Sequence, residues 1–211
     1  MKYKPIFWLI VNPFIKKYLK KYFSKSEIKE IMKKSKAEYI NLLSKADDIG
    51  ENNPMASNLY FALLFLSFHT ANQNIFSEDM LIEMIRFVLT DPFLLKIMKF
   101  DFNKEKDMAK MKKKMDIAYK WSEENKDKHP EAWQFVFDNS HEDGIYYYFT
   151  KCPIAKFFND NNLSHLTHIF CEIDYLSLEN RGGKLIRSHT IADGEEICDF
   201  WILPSKLKNP K

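Results

Sequence analysis

Near His129-Pro130 the spacing of apolar residues changes period, and no other feature of the chain limits its fold as much. Upstream they recur three and four apart, as on one face of a helix. Ile6, Phe7, Leu9, Ile10, Phe14, Ile15, Tyr18 and Leu19 mark a first such stretch, among lysines at 16, 17, 20 and 21. Ser24-Lys25-Ser26-Glu27 is a capping-box pattern, and Ile28, Ile31, Met32, Tyr39, Leu42 and Leu43 follow it on one face of a second helix ending near Gly50. Further helices are predicted from Asn53-Pro54 through Phe68, from Ser77 to about Leu89, briefly after Asp91-Pro92, and from Asn103 to about Lys126.

Downstream the period is two. Trp133 to Phe137 alternates as a strand, and a polar loop from Asp138 to Gly144 leads into a second strand, Ile145 to Thr150, so the two are expected to form an antiparallel hairpin. Pro153 opens a helix through Phe158, and another is predicted from about Ser164 to Glu179, stopped by Arg181-Gly182-Gly183. Strands at Lys184–Ile191 and Ile197–Leu203, joined by Asp193-Gly194, complete the pattern. The expected class is α+β: a helical part over 1–130, a small antiparallel sheet with two helices over 131–204, and a polar tail over 205–211.

Bulk properties narrow the function. The 211 residues are 45% hydrophobic and 15% aromatic, enough for a true core. Three cysteines without close spacing suit free thiols in a reducing compartment, and no apolar run reaches the length of a membrane-spanning helix, so a cytoplasmic protein is expected. Lys outnumbers Arg 29 to 3, without the clustered Arg and aromatics of nucleic-acid binders. The first helix is expected to pack on the domain, a membrane-surface or dimer contact being the alternative. His69 reads as a capping or hydrogen-bonded structural residue, and the stripe of Met108, Met111, Met115, Ile117 and Ala118 as core.

All three cysteines and two of the three arginines fall between Gly144 and Pro204, where any chemistry is expected. Cys152, just before Pro153, is placed at a helix N-terminus, where amides and the dipole would lower a thiol pKa; a buried packing role is the alternative. His168, Cys171 and Asp174 are three apart and could share a helix face, setting a base and a carboxylate beside a thiol. Cys198 and Asp199 should face opposite sides of the last strand, so a buried Asp199 would need a partner such as Arg187 or Arg181. The three cysteines with Asp174, Glu172 or His189 could also ligate zinc or an iron–sulfur centre.

Lys151-Cys152-Pro153 followed by Phe157-Phe158, then Phe170-Cys171-Glu172-Ile173-Asp174, Thr190-Ile191-Ala192-Asp193-Gly194 and Cys198-Asp199-Phe200 resemble the L-2-amino-thiazoline-4-carboxylic acid hydrolase family. That resemblance implies ring opening of a cyclic amidine that bears a carboxylate. It implies Cys152 and Cys171 as nucleophile candidates, His168 or His189 as acid and base, and Asp174 and Arg187 orienting the substrate with Glu172, Cys198 and Asp199 around them. It implies a small-molecule substrate and no obligatory cofactor, zinc being left open; neither nucleic acid nor membrane is an expected partner, and a homo-oligomer is left open. Gly194-x-x-x-Cys198-x-Phe200 is also similar to the ending of 4-vinyl reductase-type sensor domains, but Thr190 stands where those domains carry a cysteine. The rival expectation is therefore a non-catalytic ligand-binding domain.

Overall fold

A computed structural model describes residues 1–138 and 140–207; the end of the polar tail (208–211) and Asn139 of the hairpin loop lie outside the described residues. The class is α+β, with α-helices and one four-stranded antiparallel sheet. The residues sort into two compact units, one of 1–47 with 57–94 and one of 48–56 with 95 onward.

The first unit is helical. α1 (Pro5–Leu19) begins with proline at its first position, where the missing N–H costs nothing, and buries Trp8, Val11, Ile15, Tyr18 and Leu19. α2 (Lys25–Lys45) has the full capping box: the Ser24 hydroxyl accepts from the Glu27 amide, and the Glu27 carboxylate accepts from the Ser24 amide at 2.8 Å. α3 (Ala56–Ala71) is apolar all round because it is central, with Leu63, Leu64, Leu66 and Phe68 fully buried. α4 (Glu78–Leu89) is capped by Ser77, whose hydroxyl accepts from the Met80 amide. His69 is structural, as expected, its Nδ1 lying 2.9 Å from the Phe76 carbonyl oxygen.

α5 (Pro92–Met98) runs into the second unit, whose long helix is α6 (Glu105–Asn125). In α6 Met115 and Ala118 are buried but Ile117 is 50% exposed, so only part of the expected core stripe turns inward. The Ser122 hydroxyl donates to the Trp133 carbonyl, tying α6 to the start of the sheet.

The sheet contains β1 (Gln134–Phe137), β2 (Ile145–Lys151), β3 (Gly183–Ile186) and β4 (Cys198–Pro204), in the order β1-β2-β4-β3. Opposed residues share a face, so Phe135 against Phe149, Phe137 against Tyr147, Tyr147 against Phe200 and Phe149 against Cys198 line one side. Ring centroids 5.2 to 5.9 Å apart run along that side, each pair contributing about 1 kcal/mol beyond simple burial. α7 (Pro153–Asp160) and α8 (Thr167–Glu179), the latter preceded by a 3-10 turn at Ser164–Leu166, meet through Phe158 and Phe170 at 4.9 Å.

One predicted strand is shortened. Lys184–Ile191 was expected to be extended throughout, but β3 stops at Ile186. The cause lies in β4: the Asp199 carboxylate accepts from the backbone amides of Ser188 (3.0 Å) and His189 (2.6 Å), taking donors that would have continued the ladder. The chain then makes a 3-10 turn at Ile191–Asp193 and reverses at Gly194, whose φ of +88° lies in the left-handed region. No helix among the described residues is long and apolar enough to cross a membrane.

Candidate functional site

The residues singled out by sequence converge on the aromatic face of the sheet and on α8. Arg187 follows β3 on the side of Leu185, and its guanidinium lies over the Phe200 ring at 4.1 Å and near Tyr175 at 5.3 Å. Nη2 donates to Asp174 Oδ2 at 2.8 Å, Nη1 to the Cys171 carbonyl at 3.3 Å and Nε to the Asp199 carbonyl at 3.3 Å. The Arg187 side chain is 3% exposed, whereas Asp174 keeps 42% of its surface open. Arg187 thus runs along one turn of α8 and fixes it to the sheet. Desolvation outweighs the nearby guanidinium and lifts the Asp174 carboxyl above its ordinary pKa, although the group remains accessible.

Two of the three thiols meet here, at Thr190. Thr190 Oγ1 lies 3.8 Å from Cys171 Sγ and accepts from Cys198 Sγ at 3.7 Å; it also accepts from the Ala192 amide at 3.2 Å. With two groups donating to it, the single hydroxyl proton is left for Cys171. Cys152 is the N-cap residue of α7, as the Cys-Pro pattern predicted, and is near enough to Cys198 and Asp174 to feel their charge.

Burial works against the expected activation of that thiol. Burial pushes the Cys152 pKa up to about 11 against the opposing pull of the Ile154 and Ala155 amides, and no amide hydrogen bond caps the helix through its side chain. Burial likewise raises Cys171 to about 12, opposed by the Thr190 hydroxyl, and raises Cys198, opposed chiefly by Arg187. Helix-end stabilisation is a local effect visible in sequence; desolvation depends on what the fold lays over the sulfur.

Two cavities flank the 3-10 turn. A cavity of about 200 Å³ is lined by His168, Cys171, Glu172, Tyr175, Arg187, His189 and Thr190 among others. Another, of about 510 Å³, has Cys152 in its wall with Thr167, Lys151 and Lys156, and Glu131, Glu195 and Glu196 nearby. Ala192 belongs to both. His168, Cys171, Glu172, Arg187 and His189 therefore meet at one cavity. Asp174 lies behind it on Arg187, and Cys152 faces the other.

Asp199 is partnered differently from expectation. Its carboxylate is held by backbone amides, with His189 Nδ1 at 3.8 Å, and Arg187 reaches only its carbonyl. Among the described residues no three His, Cys, Asp or Glu side chains come together as a metal-holding group, so the Cys152, Cys171, Cys198 cage left open by the sequence is not assembled. Thr190 is the participant that sequence reasoning passed over. Its visible signal was a hydroxyl two residues before the Ala192 amide, a turn-capping arrangement.

The family model described as L-2-amino-thiazoline-4-carboxylic acid hydrolase matches residues 57–202. No curated protein and no solved structure matches the chain. The chain belongs to that hydrolase family.

Proposed function

We propose that this family member opens the ring of a thiazoline-like cyclic amidine that carries a carboxylate, in the cavity lined by Cys171, His168, His189 and Arg187. The observation that carries the reading is the meeting, at one cavity of about 200 Å³, of a cation, two imidazoles and a carboxylate on a chain of this family. A substrate with an amidinium and a carboxylate needs opposite charges at its two ends. Glu172 serves the amidinium, Arg187 N–H groups beyond the three spent on protein acceptors serve the carboxylate, and Asp174 orients Arg187 from behind the cavity.

We take water as the attacking group, because burial holds Cys171 in its neutral thiol form. A thiol titrating near 12 is ionised in only about one molecule in 10⁵ at pH 7. His168 or His189 takes a proton from water as its oxygen bonds to the amidine carbon. The tetrahedral species then collapses: its hydroxyl proton leaves to solvent as the carbonyl forms, the ring carbon–sulfur bond breaks, and the imidazolium returns the other proton to the leaving sulfur. The product carries a new thiol and a urea-type group, with one water consumed.

Release of thiol from L-2-amino-thiazoline-4-carboxylate, followed with a colorimetric thiol reagent, tests this. Thiol well beyond the three cysteines of each chain is expected from folded protein. No release from reduced, folded protein removes the substrate assignment. If water attacks, Cys171→Ser retains turnover; complete loss of turnover with an unchanged far-UV spectrum means instead that Cys171 attacks covalently.

The raised thiol pKa values also favour a second reading, in which the same cavity binds its ligand without turnover. Saturable thermal stabilisation by the amidine with no thiol release would establish it.

A further inference from the structure

We propose that the outward face of α1 rests on the surface of an anionic lipid bilayer. α1 is apolar on two sides. One side buries Trp8, Val11, Ile15, Tyr18 and Leu19 in the first unit; the other leaves Ile6, Leu9 and Ile10 at 54%, 61% and 46% exposure. Spacings of three and four place these residues in one stripe, which the exposed Pro13 continues. Phe93, 63% exposed, stands beside Phe14 with ring centroids 6.4 Å apart and widens the patch. A helix facing only water would carry charge along this stripe.

Its charge is gathered at the two ends instead. Lys2 precedes the stripe, and Lys16, Lys17 and Lys20 follow it. Residues 1–26 contain seven lysines and neither Asp nor Glu. Lys17 pairs with Asp91 yet stays 62% exposed. An apolar centre between basic ends is the pattern of a helix lying in the plane of a membrane, its side chains entering the acyl boundary and its ammonium groups meeting lipid phosphates.

The charge also decides against a second copy of the chain. A two-fold contact through this face would set the same unbalanced lysines against one another. The absence of a membrane from the expected partners followed from the absence of a spanning segment, and a helix lying in the interface requires none. α1 is also wholly outside residues 57–202, so membership in the hydrolase family does not account for its exposed stripe.

The test is co-sedimentation of the full chain with vesicles of an equimolar phosphatidylcholine and phosphatidylglycerol mixture, against vesicles of phosphatidylcholine alone. Binding to the mixed vesicles only, weakened by high salt, is expected. Leu9→Glu with Ile10→Glu, or Lys16→Glu with Lys20→Glu, should each weaken partitioning by more than about tenfold. These side chains are exposed, so the far-UV spectrum and thiol release in solution should stay unchanged. No sedimentation with anionic vesicles, equal binding to the neutral ones, or undiminished binding of both variants would overturn the proposal. So would a dimer in analytical ultracentrifugation that Leu9→Glu dissolves, which would assign the face to a second copy.

Discussion

Arg187 and Asp174 form an ion pair at 2.8 Å that is buried at one end and open at the other: the guanidinium is 3% exposed, the carboxylate 42%. Which partner is left behind should therefore decide the cost of breaking it. Asp174→Ala strands a buried cation and is expected to cost about 3 kcal/mol. Arg187→Met keeps an apolar chain over Phe200 and strands a carboxylate that water can reach, so about 1 to 2 kcal/mol is expected. Urea denaturation of both variants measures the difference; equal losses would mean that the three Arg187 hydrogen bonds, and not its charge, fix α8 to the sheet.

Alkaline pH should weaken the fold through the thiols. Burial raises Cys152 to about 11 and Cys171 to about 12, so the folded chain holds these protons more tightly than the unfolded one. Their contribution is fully present below the unfolded thiol pKa, near 8.5, and is lost as pH rises through the folded values. Between roughly pH 9 and 11 each thiol lowers the unfolding free energy by up to about 1.4 kcal/mol per pH unit. The Cys152→Ala/Cys171→Ala chain should show a shallower decline, its tyrosines titrating as before. Identical slopes would place the thiols in contact with solvent.

Removing the Thr190 hydroxyl should act on Cys171 as well as on the turn. The Thr190 bond lowers the Cys171 pKa, so Thr190→Val raises that pKa further and slows iodoacetamide alkylation of Cys171 at pH 9. The lost cap on the Ala192 amide should cost about 1 kcal/mol. Thr190→Ser keeps the oxygen and should restore both. Alkylation that is unchanged in the valine variant would show that Thr190 serves the turn alone.

Two glycines should respond differently to alanine. Gly144, with φ of +77°, ends the hairpin loop where an added Cβ would come within 2.3 Å of the Ile202 carbonyl oxygen. Gly194, with φ of +88°, has nothing within 4 Å of such an atom. Gly194→Ala should cost only the left-handed backbone term, about 1 to 2 kcal/mol, and Gly144→Ala clearly more, because β4 must move as well. Chemical denaturation of the two variants compares them directly.

Much of the architecture was legible because its signals are local. Ser24 and Ser77 mark helix starts with side chains that satisfy amides within three residues, and Pro153 fixes the opening of α7. The alternation from Trp133 to Phe137 and from Ile145 onward gave the hairpin its strands and its shared aromatic face. The end of β3 was not legible, because Asp199, eleven residues from Ser188, captures the amides of Ser188 and His189. Nor was the role of Thr190 between Cys171 and Cys198, since three separate elements must converge to create it.

The sequence by itself determined the α+β class, the hydrolase family and the short stretch holding every thiol, since periodicity, capping and motif order are written along the chain. Only the tertiary structure decided the ionisation and partners of those groups. Burial opposes charge wherever the fold excludes water, so it overrides the helix-end effect at Cys152, and three-dimensional proximity commits Arg187 to Asp174 while leaving Asp199 to backbone amides. A dielectric environment belongs to everything packed around an atom, and no local spacing of residues encodes it.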